Sequence, residues 1–420
     1  MHEMKDSKAE WVGKIPISWK MLKGKYIFVQ RTQHGNKVKL QLLSPTQKFG
    51  VIPQLLYEEL TGMNTVKLNE KADLSLLKTV HKGDFCISLR SFQGGFEYSK
   101  FEGVVSPAYQ VFYPILEIAD GYYKYLFKDN GFIERMNSYT MTLRDGKNIA
   151  FADFGNTYIP YPALNEQVRI ADFLNSKCAE IDALAVDIQS QIDTLEQYKR
   201  SVITETVTKG LNPDAAVRDS GVFYMAQMNA DWRLTKIGYI CTKLAHSFNP
   251  EDTALICSNK GKVLIRPDDL TGIMVSEDNA MQGIRKGDIA IHGMDTWHGA
   301  VALSNYDGKI TRVVHVCDSV EDKRFIVYYL QHLAYQGVYK LISNGVRGNT
   351  SDFRSWEKVR DIYIAIPKTM QEQQAICDYL DKICAEVDEI VAIKKEQLAV
   401  LDEYKKSLIF EYVTGKKVVK

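Results

Sequence analysis

The 420-residue chain contains no run of about 18 apolar residues, so nothing in it reads as a membrane span. Its opening, Met1 to Trp11, is polar and charged and does not read as an apolar leader. The seven cysteines are odd in number and none forms a C-x-x-C pair, which fits reduced thiols in a cytosolic protein better than a disulfide framework. Cys178 and Cys384 read as small core residues. Charge of either sign is scarcely in excess, 53 Lys and Arg against 52 Asp and Glu, so a nucleic-acid surface has to be local. No Gly-Lys pair is followed by Ser or Thr, which removes the phosphate-cradling loop of an ATPase. Gly-x-Gly-x-x-Gly is absent too, and neither Asn249-Pro250-Glu251 nor Asn212-Pro213-Asp214 is the Pro-Pro-aromatic motif of an amino-methylating enzyme. Glu321-Asp322-Lys323, with Asp268 or Asp269 upstream, has the acidic-x-lysine ending of many nucleases, a match short enough to arise by chance.

Proline and interior glycine are missing from two segments, Asn165 to Gly210 and Gln371 to Lys416, which align without a gap. Matching pairs include Glu166 with Glu372, Asp172 with Asp378, Cys178 with Cys384, Glu180 with Glu386, Tyr198 with Tyr404 and Glu205 with Glu411. Both are rich in Ala, Leu, Glu, Gln and Lys, with apolar residues at alternating spacings of three and four, which predicts long helices. Ile181, Leu184, Ile188, Gln191, Leu195, Tyr198 and Val202 are expected to form one seam. Val387, Ile390, Lys394, Gln397, Leu401, Tyr404 and Leu408 form its counterpart. Gln191 and Gln397 are either register-fixing polar groups or ordinary half-exposed glutamines. Asn165 is an expected N-cap, Thr369 with Glu372 is a capping-box pattern, and Gly210 and Gly415 are expected stops. At about 1.5 Å per residue each helix runs roughly 65 Å, too long to bury its seam alone. The simplest expectation is an antiparallel coiled coil with the preceding domains at opposite ends. The alternative is that each helix packs only on its own neighbouring domain.

The stretches before the helices echo each other more weakly. Ile15-Pro16-Ile17-Ser18-Trp19 resembles Met228-Asn229-Ala230-Asp231-Trp232, and Lys82-Gly83-Asp84 resembles Lys286-Gly287-Asp288 as a turn leading into a strand. Val104 to Pro114 and Lys309 to Cys317 are strand candidates, while Gly121 to Met136 and Lys323 to Ile342 look helical. The fold class is α+β: two mixed α/β domains, 1–164 and 211–368, each followed by a long helix, 165–210 and 369–420.

This order resembles the specificity subunits of type I restriction-modification enzymes. The resemblance rests on the opening tryptophan motif, Tyr158-Ile159-Pro160-Tyr161-Pro162 or Tyr363-Ile364-Ala365-Ile366-Pro367 before the helix, the Glu-Gln start and the Tyr-Lys-x-Ser near its end. It implies two target-recognition domains that each read half of an interrupted double-stranded DNA site, and helices that set the gap and hold two modification subunits. Methyltransferase and ATP-dependent nuclease activities, with S-adenosylmethionine, ATP and Mg2+, are expected in the modification and restriction partners. No cofactor, metal or catalytic residue is expected in this chain. It is expected to be a cytoplasmic phage-defence component whose own DNA binding is weak. A coiled-coil scaffold without DNA binding is the rival from another class, and a metal-dependent nuclease is a third.

Candidate DNA-reading residues fall on four polar segments. Arg90, Ser91 and Gln93 follow a predicted strand beside Gly94-Gly95; Arg144, Lys147 and Asn148 flank Gly146; Arg347, Asn349 and Thr350 hold the comparable place in the second domain. Arg144 and Arg347 are the preferred contacts, and a solvated loop is the alternative in each case. His292, Thr296 and His298 lie in the slot equivalent to Ser88 onward, where a metal site, a DNA-facing loop and a packed Trp297 compete. Tyr122-Tyr123 and Tyr328-Tyr329 read as core, and the tail from Lys416 to Lys420 as solvated. Ile181, Leu184, Ile188, Leu195, Tyr198, Val387, Ile390, Leu401, Tyr404 and Leu408 are the candidate coiled-coil or partner-docking residues.

Overall fold

The computed structural model describes residues 3–35, 40–63, 74–87, 95–139, 149–267, 280–343 and 353–419. They gather into two compact units, residues 1–188 with 396–420 and residues 189–395. Neither long helix is a segment of its own in this division. Each contributes one part to each unit.

Low glycine and proline content lets the helices run unbroken over Leu164–Lys209 and Met370–Val413. The first begins one residue before the expected cap: the backbone N–H groups of Glu166 and Gln167 bond to the Ala163 carbonyl, so Asn165 sits inside the first turn. In the second, Thr369 does cap, its Oγ1 accepting from the Glu372 N–H at 3.2 Å. Both ends stop at a glycine with positive φ, Gly210 (+88°) and Gly415 (+71°), a conformation that costs other residues about 1 kcal/mol.

The first unit is built on a four-stranded antiparallel sheet ordered Phe28–Gln30, Gln110–Pro114, Phe85–Ile87, Phe96–Tyr98. The single strand expected over Val104 to Pro114 is two, Gly103–Val105 and Gln110–Pro114, which join different sheets. The helical stretch from Gly121 is likewise Asp120–Leu126 and Asn130–Ser138, broken where Asp129 caps the second helix by accepting from the Phe132 N–H. Phe28, Phe85, Phe112, Phe127 and Phe154 pack against one another as fully buried rings. At roughly 2–3 kcal/mol of transfer free energy apiece they dominate this core.

The second unit repeats the plan. Its sheet runs Cys241–Lys243, Val314–Ser319, Ile289–His292, Val301–Leu303, again all antiparallel. Its helices Lys323–Tyr335 and Val338–Ile342 are separated by Gly337 at φ +68°. The incoming strand Arg233–Lys236 pairs with the outgoing Tyr363–Ile366, as Lys20–Lys23 pairs with Tyr158–Tyr161 in the first unit.

Both units contain an antiparallel helix pair. In the first, Phe173 packs on Tyr412 with ring centroids 4.4 Å apart, and Lys405 donates to Asp182 at 2.6 Å. In the second, Lys394 donates to Gln191 at 2.5 Å and Lys199 to Asp388 at 2.7 Å. Exposed bridges of this kind are worth less than about 1 kcal/mol, so apolar burial holds the helices together and the charges mark the register. Leu174, Cys178, Ile181, Leu408, Ile409 and Val413 are buried in the first core, and Ile203, Val207, Ile376, Leu380 and Cys384 in the second.

Candidate functional site

The junction between each domain and its helix is built from the opening tryptophan and the Glu-Gln pair. Trp19 is buried and its indole Nε1 donates to Glu166 at 2.9 Å; Trp232 does the same to Glu372, also at 2.9 Å. The neighbouring glutamines are fully buried and bridge two backbone segments. Gln167 accepts from the Ala119 N–H and donates to the Pro162 carbonyl; Gln373 accepts from the Asp322 N–H and donates to the Pro367 carbonyl. Each amide thereby satisfies groups that burial would leave unpaired. Of the two glutamates, only Glu372 was expected in a local role, as a capping-box partner. Both serve the indoles instead, partners more than a hundred residues away in sequence that no local pattern announces.

Of the expected reading residues, Arg90, Ser91, Gln93, Arg144, Lys147, Asn148, Arg347, Asn349 and Thr350 lie outside the described residues, as do Asp268 and Asp269. The His292 segment is described. His292 is an anchor: its Nδ1 accepts from the backbone N–H groups of Asp295 (3.1 Å) and Met294 (3.3 Å). Burial lowers its pKa, outweighing the opposite pull of the Asp295 carboxylate, and so favours the accepting neutral ring. Thr296 is buried. Of the three residues singled out here, only His298 faces solvent. Trp297 is half-buried, with Nε1 donating to Ser343 Oγ at 3.2 Å. Among the described residues no group of three or more His, Cys, Asp or Glu could hold a metal ion.

Tyr122, Tyr123 and Tyr329 are buried core residues, whereas the Tyr328 hydroxyl donates to Asp381 at 2.6 Å. The tail is not free in solvent: Lys416 Nζ donates to the carbonyls of Val12 and Lys14, and Lys417 pairs with Glu411.

Along the helix pairs, Ile181, Ile188, Val387 and Leu408 are buried and Leu195 and Leu401 half-buried. Leu184, Tyr198, Ile390 and Tyr404 are 43–55% exposed, and Gln191 and Gln397 are exposed. The apolar stripe therefore leans toward Ile192 and Val391, which are buried and which the expected seam omitted. In the first unit Leu184 is two residues past Asp182 and Tyr404 one before Lys405, so both stand level with that ion pair. In the second, Ile390 and Tyr198 bear the same relation to Asp388 and Lys199. Each unit thus exposes one aliphatic and one tyrosine at matching places.

Residues 21–194 match the family model described as Type I restriction modification DNA specificity domain. A solved chain from a structure of complex assembly and conformational transition in a type I R-M system superposes with a TM-score of 0.71 at 14% identity, covering 96% of this chain and 99% of that one. The HsdS subunit from Thermoanaerobacter tengcongensis aligns with a TM-score of 0.49 at 16% identity, over 96% of this chain and 98% of that one. The first of these likenesses shows a shared fold over nearly the whole length. No helix among the described residues is long and apolar enough to cross a membrane.

Proposed function

We propose, from the match of residues 21–194 to the type I restriction modification DNA specificity domain, that the chain reads a bipartite DNA site, one half with each unit. The observation that carries this reading is the duplicated architecture: two units share a strand order and a Trp-Glu-Gln junction, although their cores are filled differently. Two readers on one chain impose a gap as well as two half-sequences, as paired readers do in general. The matching exposed pairs Leu184 with Tyr404 and Ile390 with Tyr198 suit two copies of one partner, since like surfaces take like occupants. Those partners are modification subunits carrying the methyl transfer with S-adenosylmethionine, and through them restriction subunits using ATP and Mg2+. The chain itself supplies sequence recognition and no catalytic group.

The experiment is reconstitution of the purified chain with candidate modification subunits, followed by mapping of methylated positions on DNA. Methylation at one interrupted motif, lost when this chain is omitted, supports the reading. Failure to form a complex, together with no DNA binding at low salt, refutes it and leaves a protein-interaction scaffold.

A further inference from the structure

The turn after strand Ile289–His292 in the second unit is pinned from several sides. The Gly293 N–H bonds to the Val313 carbonyl at 2.9 Å, and the Gly293 carbonyl accepts from the Phe353 N–H at 3.0 Å. There is no room for a side chain at Gly293, because a Cβ would stand 2.9 Å from the carbonyl oxygens of Phe353 and Val313. His292 ties down the Met294 and Asp295 amides, and Gly299 closes the turn at φ +83°. A surface fixed this firmly loses little conformational entropy when a ligand docks.

Two exposed cations flank the turn. Lys340 places its ammonium over the Trp297 ring, 5.7 Å from the centroid, and the Trp297 indole is held by Ser343. Arg354 reaches Met294, its Nη2 3.1 Å from the Sδ atom. Among the described residues neither cation has an acidic partner, unlike Lys199, Lys236 and Lys323, each paired with a carboxylate. A cation with no carboxylate to give up, and already oriented by a ring or a thioether, is ready to meet an anion.

We propose that Lys340 and Arg354 contact the phosphates of duplex DNA on either side of this turn, with Trp297 as the positioning residue for Lys340. The inference rests on the DNA-reading role above and names residues for it. Phosphate contacts of this kind set the orientation of a reader while neighbouring groups, here including exposed His298, face the bases.

The test is salt-dependent binding of the full-length chain to a duplex enriched from a randomised library. Each phosphate contact steepens the slope of log affinity against log salt by roughly one. Lys340→Gln and Arg354→Gln are each expected to flatten the slope by about one and to weaken binding roughly five- to tenfold at moderate salt. The exposed Lys382→Gln should leave the slope unchanged. Trp297→Ala should flatten it as Lys340→Gln does, with no further change in the double variant, whereas loss of structure alone would lower the active fraction without altering the slope. Wild-type slopes in both cation variants overturn the inference even when the chain binds DNA well. If the wild-type chain enriches no duplex and shows no salt-dependent binding, the DNA-reading role falls and this assignment falls with it.

Discussion

Replacing Gln167 with leucine keeps the side-chain volume close and removes both of its hydrogen bonds. The Pro162 carbonyl, 2.9 Å from Nε2, is buried, and the Ala119 N–H, 2.9 Å from Oε1, is half-buried. Stranding a buried backbone group costs about 1–3 kcal/mol, with the lower end fitting the half-buried one, and leucine returns about 1 kcal/mol through its better transfer from water. The net loss is then about 1–3 kcal/mol. For a unit of this size that corresponds to a fall of roughly 2–12 °C in the midpoint of thermal unfolding. Far-UV circular dichroism on the full chain measures it, with exposed Asn165→Leu, two residues away on the same helix, as the control. A Gln167→Leu midpoint within about 1 °C of the control would refute the assignment of Gln167 as the satisfier of those two groups.

Two other perturbations have signs set by the structure. Gly415→Ala places a Cβ 2.5 Å from Pro16 Cδ at a φ of +71°, whereas at Gly210, φ +88°, the nearest atom is 3.3 Å away on Trp232. Gly415→Ala should therefore cost about 2–4 kcal/mol and Gly210→Ala about 1–2 kcal/mol, read from urea midpoints; equal losses would mean that the contact with Pro16 relaxes freely. Burial lowers the pKa of His332 from 6.5 to about 4 while its Nδ1 lies 3.1 Å from Thr204 Oγ1. The unfolded chain takes up this proton first as pH falls, so stability is full above pH 6.5 and drains between 6.5 and 4, by on the order of 3 kcal/mol. His332→Gln should lose less stability than wild type between pH 7 and pH 4.5 in urea titrations, and parallel losses would exclude His332 as the source.

The long helices and the duplication were legible because they are written locally, in Ala- and Leu-rich periodicity without proline and in pairs such as Asp182 with Asp388 and Lys199 with Lys405. The face each helix buries was less legible. Spacings of three and four give a stripe, but a stripe centred on Leu184 and Tyr198 differs from one leaning to Ile192 by a fraction of a turn, which the partner helix decides. Turns also hid inside apparent strands: Ser106, Pro107 and Ala108 interrupt the alternation too briefly to split Gly103–Val105 from Gln110–Pro114 by pattern alone. In the candidate site, composition singled out the His292 segment without revealing that His292 and Thr296 turn inward. Lys340 and Arg354 went unnoticed because isolated cations carry no motif; their interest comes from Trp297 and Met294, 43 and 60 residues away in sequence.

A chain assembled this way has an unusual order of completion on the ribosome. The unit that begins at the amino terminus also needs residues 396–420: Val413 accepts from the buried Tyr122 hydroxyl, and Lys416 reaches the Val12 carbonyl. Residues 189–395 have all been made before that last stretch appears, so the later unit can close while the earlier one still waits for its final helix turns. Residues 1–188 are made before the second unit yet complete their core after it, and they keep an apolar face uncovered until residues 396–420 emerge.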